Sequence, residues 1–208
     1  GKRYYTFGGT DEERLNDFQE MLDDEELTAI LCARGGYGFV RIIDRLQFDR
    51  FRKFPKWIIG FSDVTVLHAH LHRHAGITSL HAKMCNSFPE SWDAAEPEQK
   101  TSILSIRDAL VGAKTNYEVP SHPQNRRGVC KGKLVGGNLK TLESLSGSGS
   151  DMQTKGKILI VSPLMVCKQT VDEAERFYGP LSIGRIVASD LQAWLSGKDG
   201  PAIGVTNY

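Results

Sequence analysis

The stretch Trp57-Ile58-Ile59-Gly60-Phe61-Ser62-Asp63-Val64-Thr65 runs from a short apolar strand through a tight turn into a helix, with a serine at the turn. In that arrangement Ser62 stands at the carboxyl edge of a sheet, near the free N–H groups and the positive end of the following helix. Such a position suits a nucleophile, because backbone N–H groups can hold the oxyanion that develops on its substrate. The pattern G-x-S-x-V lacks the second glycine of the common α/β-hydrolase elbow. Serine is also a frequent helix N-cap, and spacing alone leaves both readings open.

Outward from this turn, Ser62 to His74 reads as a helix with Val64, Leu67 and Leu71 on its apolar face, and Lys56 to Ile59 as the strand before it. Upstream, Thr10 to Leu22 reads as a helix that Thr10 and Glu13 open as a capping box. Leu27 to Ala33 is a short apolar run ending in glycines, hence a buried strand, and Val40 to Leu46 reads as a second helix. Pro97 to Leu110 is a further helix, with Pro97 in its first turn. Strands alternating with helices predict a parallel α/β sheet. Tyr117 to Arg127, with Pro120 and Pro123, breaks the alternation. Gly132 to Val135 then reads as a strand, Asn138 to Leu145 as a short helix and Lys157 to Val161 as a strand. The expected organisation is an N-terminal α/β domain over 1–116, a linker over 117–131 and a smaller C-terminal domain portion over 132–208.

Composition narrows the function classes. The 208 residues are 40% hydrophobic and 25% charged, with a formal net charge of +1. That is a globular composition, and the even charge balance gives no electrostatic case for nucleic acid or an anionic membrane. No apolar run approaches the roughly 20 residues that span a bilayer. Cys32, Cys85, Cys130 and Cys167 are scattered without a CxxC pair, which excludes a zinc ribbon and predicts reduced thiols. The first residues carry no signal-peptide pattern, and the cytoplasm is the expected compartment.

A second candidate element is Arg34-Gly35-Gly36-Tyr37-Gly38, directly after a strand. Its glycines allow close backbone approach to a ligand. It is neither a P-loop nor a dinucleotide fingerprint. It reads as an oxyanion loop or as a plain tight turn. In a parallel sheet it would share the carboxyl edge with Ser62, where sites form.

RGGYG at 34–38, GFSDVT at 60–65 and LVGGNL at 134–139, in that order and at those spacings, resemble the LD-carboxypeptidase family, which includes microcin-immunity peptidases. FGGTDEERLNDFQ at 7–19 and KGKILIV at 155–161 fit the same pattern, so the resemblance covers about residues 1–161. It implies an N-terminal α/β domain joined to a smaller C-terminal one, and a Ser-Glu-His triad that removes terminal D-alanine from cell-wall muropeptide tetrapeptides. By resemblance Ser62 is the nucleophile, and the N–H of Asp63 with that of Gly35 or Gly36 forms the oxyanion hole. Arg34 is assigned either to a substrate carboxylate or to a structural ion pair. No cofactor and no metal are implied. The expected partner is a small muropeptide, with neither nucleic acid nor membrane, and a homodimer is compatible with the resemblance.

The chain departs from the family pattern after residue 161. Ser162 and Pro163 stand where the family places its triad glutamate and the residue after it, and no histidine follows His122. Glu173 and Glu175 are carboxylates in a sequence that reads as a solvated helical face. Impaired catalysis is therefore expected, with a silent ligand-binding module as the rival reading. His81 and His122, in expected loops, are the substitute bases to consider. His68, His70, His72 and His74 alternate on the expected helix. They form two i,i+4 pairs pointing about 160° apart, too divergent to hold one zinc. They read as partly exposed polar positions.

Overall fold

The computed structural model describes residues 4–5, 7–118, 121–162, 183–186 and 203–206. The chain divides into two units, Gly1–Val161 and Ser162–Tyr208. In the first, strands β1 (Ala29–Leu31), β2 (Trp57–Gly60) and β3 (Leu80–His81) form a parallel sheet in the order β1-β2-β3. Helices α1 (Asp11–Asp23), α2 (Asp49–Lys53), α3 (Thr65–His74), α4 (Pro97–Leu110) and α5 (Leu139–Ser144) accompany it. Strands β4 (Leu134–Asn138) and β5 (Ile158–Ser162) pair with each other. In the second unit β6 (Ile183–Ile186) and β7 (Ile203–Thr206) pair in parallel. The fold class is α/β.

Local chemistry accounts for the first unit. Thr10 and Glu13 form both halves of the capping box on α1. Phe18 and Leu22 on α1 pack with Ile30, Ile58, Phe51, Leu67 and Leu71 in one apolar core. Lys56 is buried, and its ammonium donates to the carbonyls of Met21, Leu22 and Asp24 at the end of α1. A cation there meets the negative end of the helix and its unpaired carbonyls, and it ties α1 to the start of β2.

The expected helix over Val40 to Leu46 is instead two consecutive 3-10 turns, Phe39–Arg41 and Ile43–Arg45. The β-branched run Val40, Ile42 and Ile43 weakens α-helix, and the tighter turns bury both isoleucines. Helix α3 opens likewise on a 3-10 turn, Ser62–Val64, before its α portion. The short strand β3 and helix α2 were not anticipated. The described residues of 113–133 hold no helix or strand.

Strand β4 and helix α5 pack on α3 through bare backbone. Gly137 has φ 151°, and a Cβ there would overlap the side chain of Thr65. The neighbouring Asn138 N–H donates to Thr65 Oγ1 at 3.0 Å, while its side chain caps α5 by accepting from Thr141 N–H at 3.1 Å. Gly137→Ala combines a left-handed backbone with a steric clash, and is expected to destabilise the first unit by about 2 kcal/mol or more. The urea unfolding midpoint measures it.

Candidate functional site around Ser62

Parallel register brings two loops together. Leu31 pairs with Ile59, so β1 and β2 end side by side, and Cys32 N–H continues the ladder to the Ile59 carbonyl at 3.0 Å. Ser62 follows β2 with φ 60°, one of two non-glycine residues with positive φ among those described. That conformation costs an L-residue about 1–2 kcal/mol and recurs where chemistry needs a strained presentation. Ser62 is half-buried, and its Oγ makes no hydrogen bond among the described residues. It caps no helix: α3 has no side-chain cap bond.

Gly35 stands directly against this serine. A Cβ on Gly35 would lie 3.1 Å from Ser62 Cβ and 3.3 Å from Ser62 Oγ, with Met84 Cε at 3.5 Å. Met84 belongs to a segment that returns across the same edge, since Cys85 and Asn86 N–H donate to the Cys32 and Ala33 carbonyls at 3.1 and 3.0 Å. Gly36 is exposed with φ 148°, and Arg34 is exposed on the same loop. Asp63 is buried, and its Oδ2 accepts from the N–H groups of Gly38 and Phe39, both at 2.9 Å. Sequence reading valued Asp63 for its own N–H and missed this carboxylate, because the contact spans 25 residues.

The histidines are engaged elsewhere. His68 is buried rather than partly exposed, because the sheet covers its face of α3. Its Nε2 lies 2.9 Å from the Gly60 carbonyl and its Nδ1 2.8 Å from Ser79 Oγ. A carbonyl only accepts, so Nε2–H is the donor and Nδ1 accepts from the Ser79 hydroxyl. Burial lowers its pKa to about 4. His70 meets Ser150, His72 accepts from Lys157, and His74 donates to the Gly149 carbonyl. Every ring is thus committed, and the described residues contain no metal-binding group of three or more ligands. His81 ends β3 beside His68 and Phe61. It is exposed by surface area, yet enough protein surrounds its ring for desolvation to lower its pKa. His122 is exposed in the 113–133 stretch. Glu173, Glu175, Pro163 and Cys167 lie outside the described residues.

Two measurements follow from this geometry. Ser62→Gly removes the left-handed penalty but adds unfolded-chain entropy, for a net stabilisation of roughly 0.5–1 kcal/mol, read as a higher urea midpoint. For His68, folded-state protonation is disfavoured, so its contribution is complete above the ordinary histidine pKa and is lost as pH falls from about 6.5 to about 4. Linkage bounds that loss at about 3 kcal/mol. Comparing unfolding of His68→Gln with the parent across this range should show a flatter profile for the variant.

Comparison with known proteins identifies the family. Residues 1–82 match the LD-carboxypeptidase N-terminal domain. Over 156 residues the chain is 35% identical to the "Probable murein peptide carboxypeptidase" of Bacillus subtilis, covering 75% of this chain and 48% of that protein. It is 33% identical over 165 residues to the murein tetrapeptide carboxypeptidase of Pseudomonas aeruginosa, covering 76% and 53%. The chain spans about half the length of these curated relatives. The crystal structure of muramoyltetrapeptide carboxypeptidase from Oxalobacter formigenes shares the fold, with a TM-score of 0.69 over 100% of this chain and 76% of that one at 23% identity. Among the described residues no helix is long and apolar enough to cross a membrane. The domain match and the curated relatives together place the chain in the LD-carboxypeptidase family.

Proposed function

We propose that this chain is a serine carboxypeptidase-type hydrolase of muropeptide tetrapeptides, with Ser62 as the nucleophile that releases a terminal D-alanine. The supporting observation is the strained Ser62 backbone with Gly35 pressed against its side chain. In this reading Ser62 Oγ attacks the carbonyl carbon before the terminal D-alanine and gives its proton to a base. The amide N–H of Asp63 and that of Gly35 or Gly36 hold the resulting oxyanion. D-alanine leaves with that proton, and water then hydrolyses the acyl-serine. Arg34 orients the substrate carboxylate from the loop beside Gly35. The 117–131 stretch links the N-terminal domain, 1–116, to the C-terminal portion from 132. The same resemblance carries a cytoplasmic location and a homodimer.

The base is the weak part of this machinery. Ser162 occupies the position of the family's glutamate, and no histidine follows His122. His68 is unsuited, because both ring nitrogens are taken and burial keeps it neutral. The unpartnered Ser62 Oγ favours a second reading, a ligand-binding module that keeps the pocket without the chemistry. A serine without its base loses several orders of magnitude of rate. The 208-residue chain is therefore expected to release D-alanine from a muropeptide tetrapeptide far below ordinary enzyme rates. Turnover of about 1 per second or more, abolished by Ser62→Ala, would contradict the impairment. His81 and His122 would then be the first candidates for the base.

A further inference from the structure

Asp63 is buried, yet the glycine loop leans on it. A single oxygen, Oδ2, accepts the N–H groups of both Gly38 and Phe39 at 2.9 Å. Two donors converging on one buried oxygen is an arrangement suited to an ionised carboxylate. Behind it stands Arg14 of α1, whose guanidinium fills the space a Gly38 side chain would occupy. Arg14 is also paired with Asp11 at 2.5 Å. The charged and titratable groups that act on Asp63 are Arg14 from α1 and the Cys32 thiol after β1. Burial pushes Cys32 up to about 12, so that thiol is neutral. Beyond its attachment at Gly38 and Phe39, the loop is open at Gly36, where no atom lies near an added Cβ.

From this geometry we propose that Asp63 is a positioning residue: its carboxylate, bound by the Gly38 and Phe39 N–H groups with the Arg14 guanidinium behind them, fixes Gly38 and Phe39 and thereby sets the Gly35–Gly36 loop against Ser62. The purpose assigned to the clamp rests on reading Ser62 as a nucleophile, but the clamp can be measured without catalysis. Protonating Asp63 weakens the acceptor and frees the loop. Burial is the largest influence on its pKa and raises it, while the two N–H donors and Arg14 oppose the rise. The sign follows: the folded state binds this proton more tightly than the unfolded chain. The associated stability is present below the ordinary aspartate pKa and is lost as pH rises through the folded value. The charge is therefore held against stability, as functional sites often require.

The test is amide NMR on the full 15N-labelled chain. The Gly38 and Phe39 amides should titrate with one midpoint above the ordinary aspartate range, and the Gly35 and Gly36 amides should move with the same midpoint. Asp63→Asn should abolish the titration without lowering the thermal midpoint at neutral pH. Asp63→Ala should speed hydrogen exchange at Gly38 and Phe39 by about tenfold or more. Arg14→Gln should move the midpoint upward. The proposal is overturned if Gly38 and Phe39 do not titrate, or if they titrate unchanged in Asp63→Asn. It is also overturned if Arg14→Gln leaves the midpoint in place. If Gly35 and Gly36 stay still while the other two move, Asp63 is only a local acceptor and the positioning role fails. Should a variant at 63 not fold, the parent titration and Arg14→Gln decide. A chain that titrates as expected while Ser62 stays unmodified after prolonged exposure to a fluorophosphonate probe refutes the peptidase reading and leaves the clamp standing.

Discussion

A side chain on Gly35 would crowd Ser62, because its Cβ would stand only 3.1 Å from the serine Cβ. That contact organises the rest of the first unit. The parallel register of β1 on β2 ends both strands at one edge, and the chain must leave that edge twice within a few ångströms. Glycine solves the crowding on one side, and a left-handed serine solves it on the other. The adjoining residue, Asp63, then joins the two exits with a carboxylate.

The site is built from unfavourable choices. A serine at φ 60° and a buried aspartate each oppose folding. The surroundings offset them. Val64 on the opening 3-10 turn and Leu67 and Leu71 on α3 are completely buried, Lys56 holds α1 to β2, and His68 pins α3 to the Gly60 carbonyl just before the turn. Gly136 and Gly137 allow β4 to lie against β5 and against Thr65 without intervening side chains. The residues around Thr65 are thus held from both directions along the chain, which keeps the strained turn in one conformation. The alternating histidines belong to this support: His70, His72 and His74 fasten α3 to residues 149–157.

Much of this was legible in the sequence. The capping box on α1 is local, and Thr10 with Glu13 announces it. The apolar runs ending in glycine mark β1 and β2, and the ordered motifs brought both loops and the GGN segment into one family pattern. What escaped was non-local or short. Strand β3 has two residues, too few to show a period. The stretch 39–45 carries helical spacing, but β-branched residues and the tie to Asp63 favour tighter turns. His68 reads like its neighbours by composition, and only the sheet on its face of α3 makes it a buried, neutral residue. The Asp63 carboxylate and the Lys56 cap depend on partners 24 to 35 residues away, and Arg14 acts on Asp63 from farther still along the chain, where no spacing rule reaches.

The central claim is that Ser62 sits in a formed oxyanion site. The most direct measurement is mass-spectrometric mapping of the intact chain after prolonged exposure to a fluorophosphonate probe. A hydroxyl beside oriented N–H donors should react even with a poor base, though slowly. The account predicts a single phosphonylated residue, Ser62, formed slowly and absent in Ser62→Ala. A chain left unmodified at Ser62, or modified at another serine instead, would contradict it.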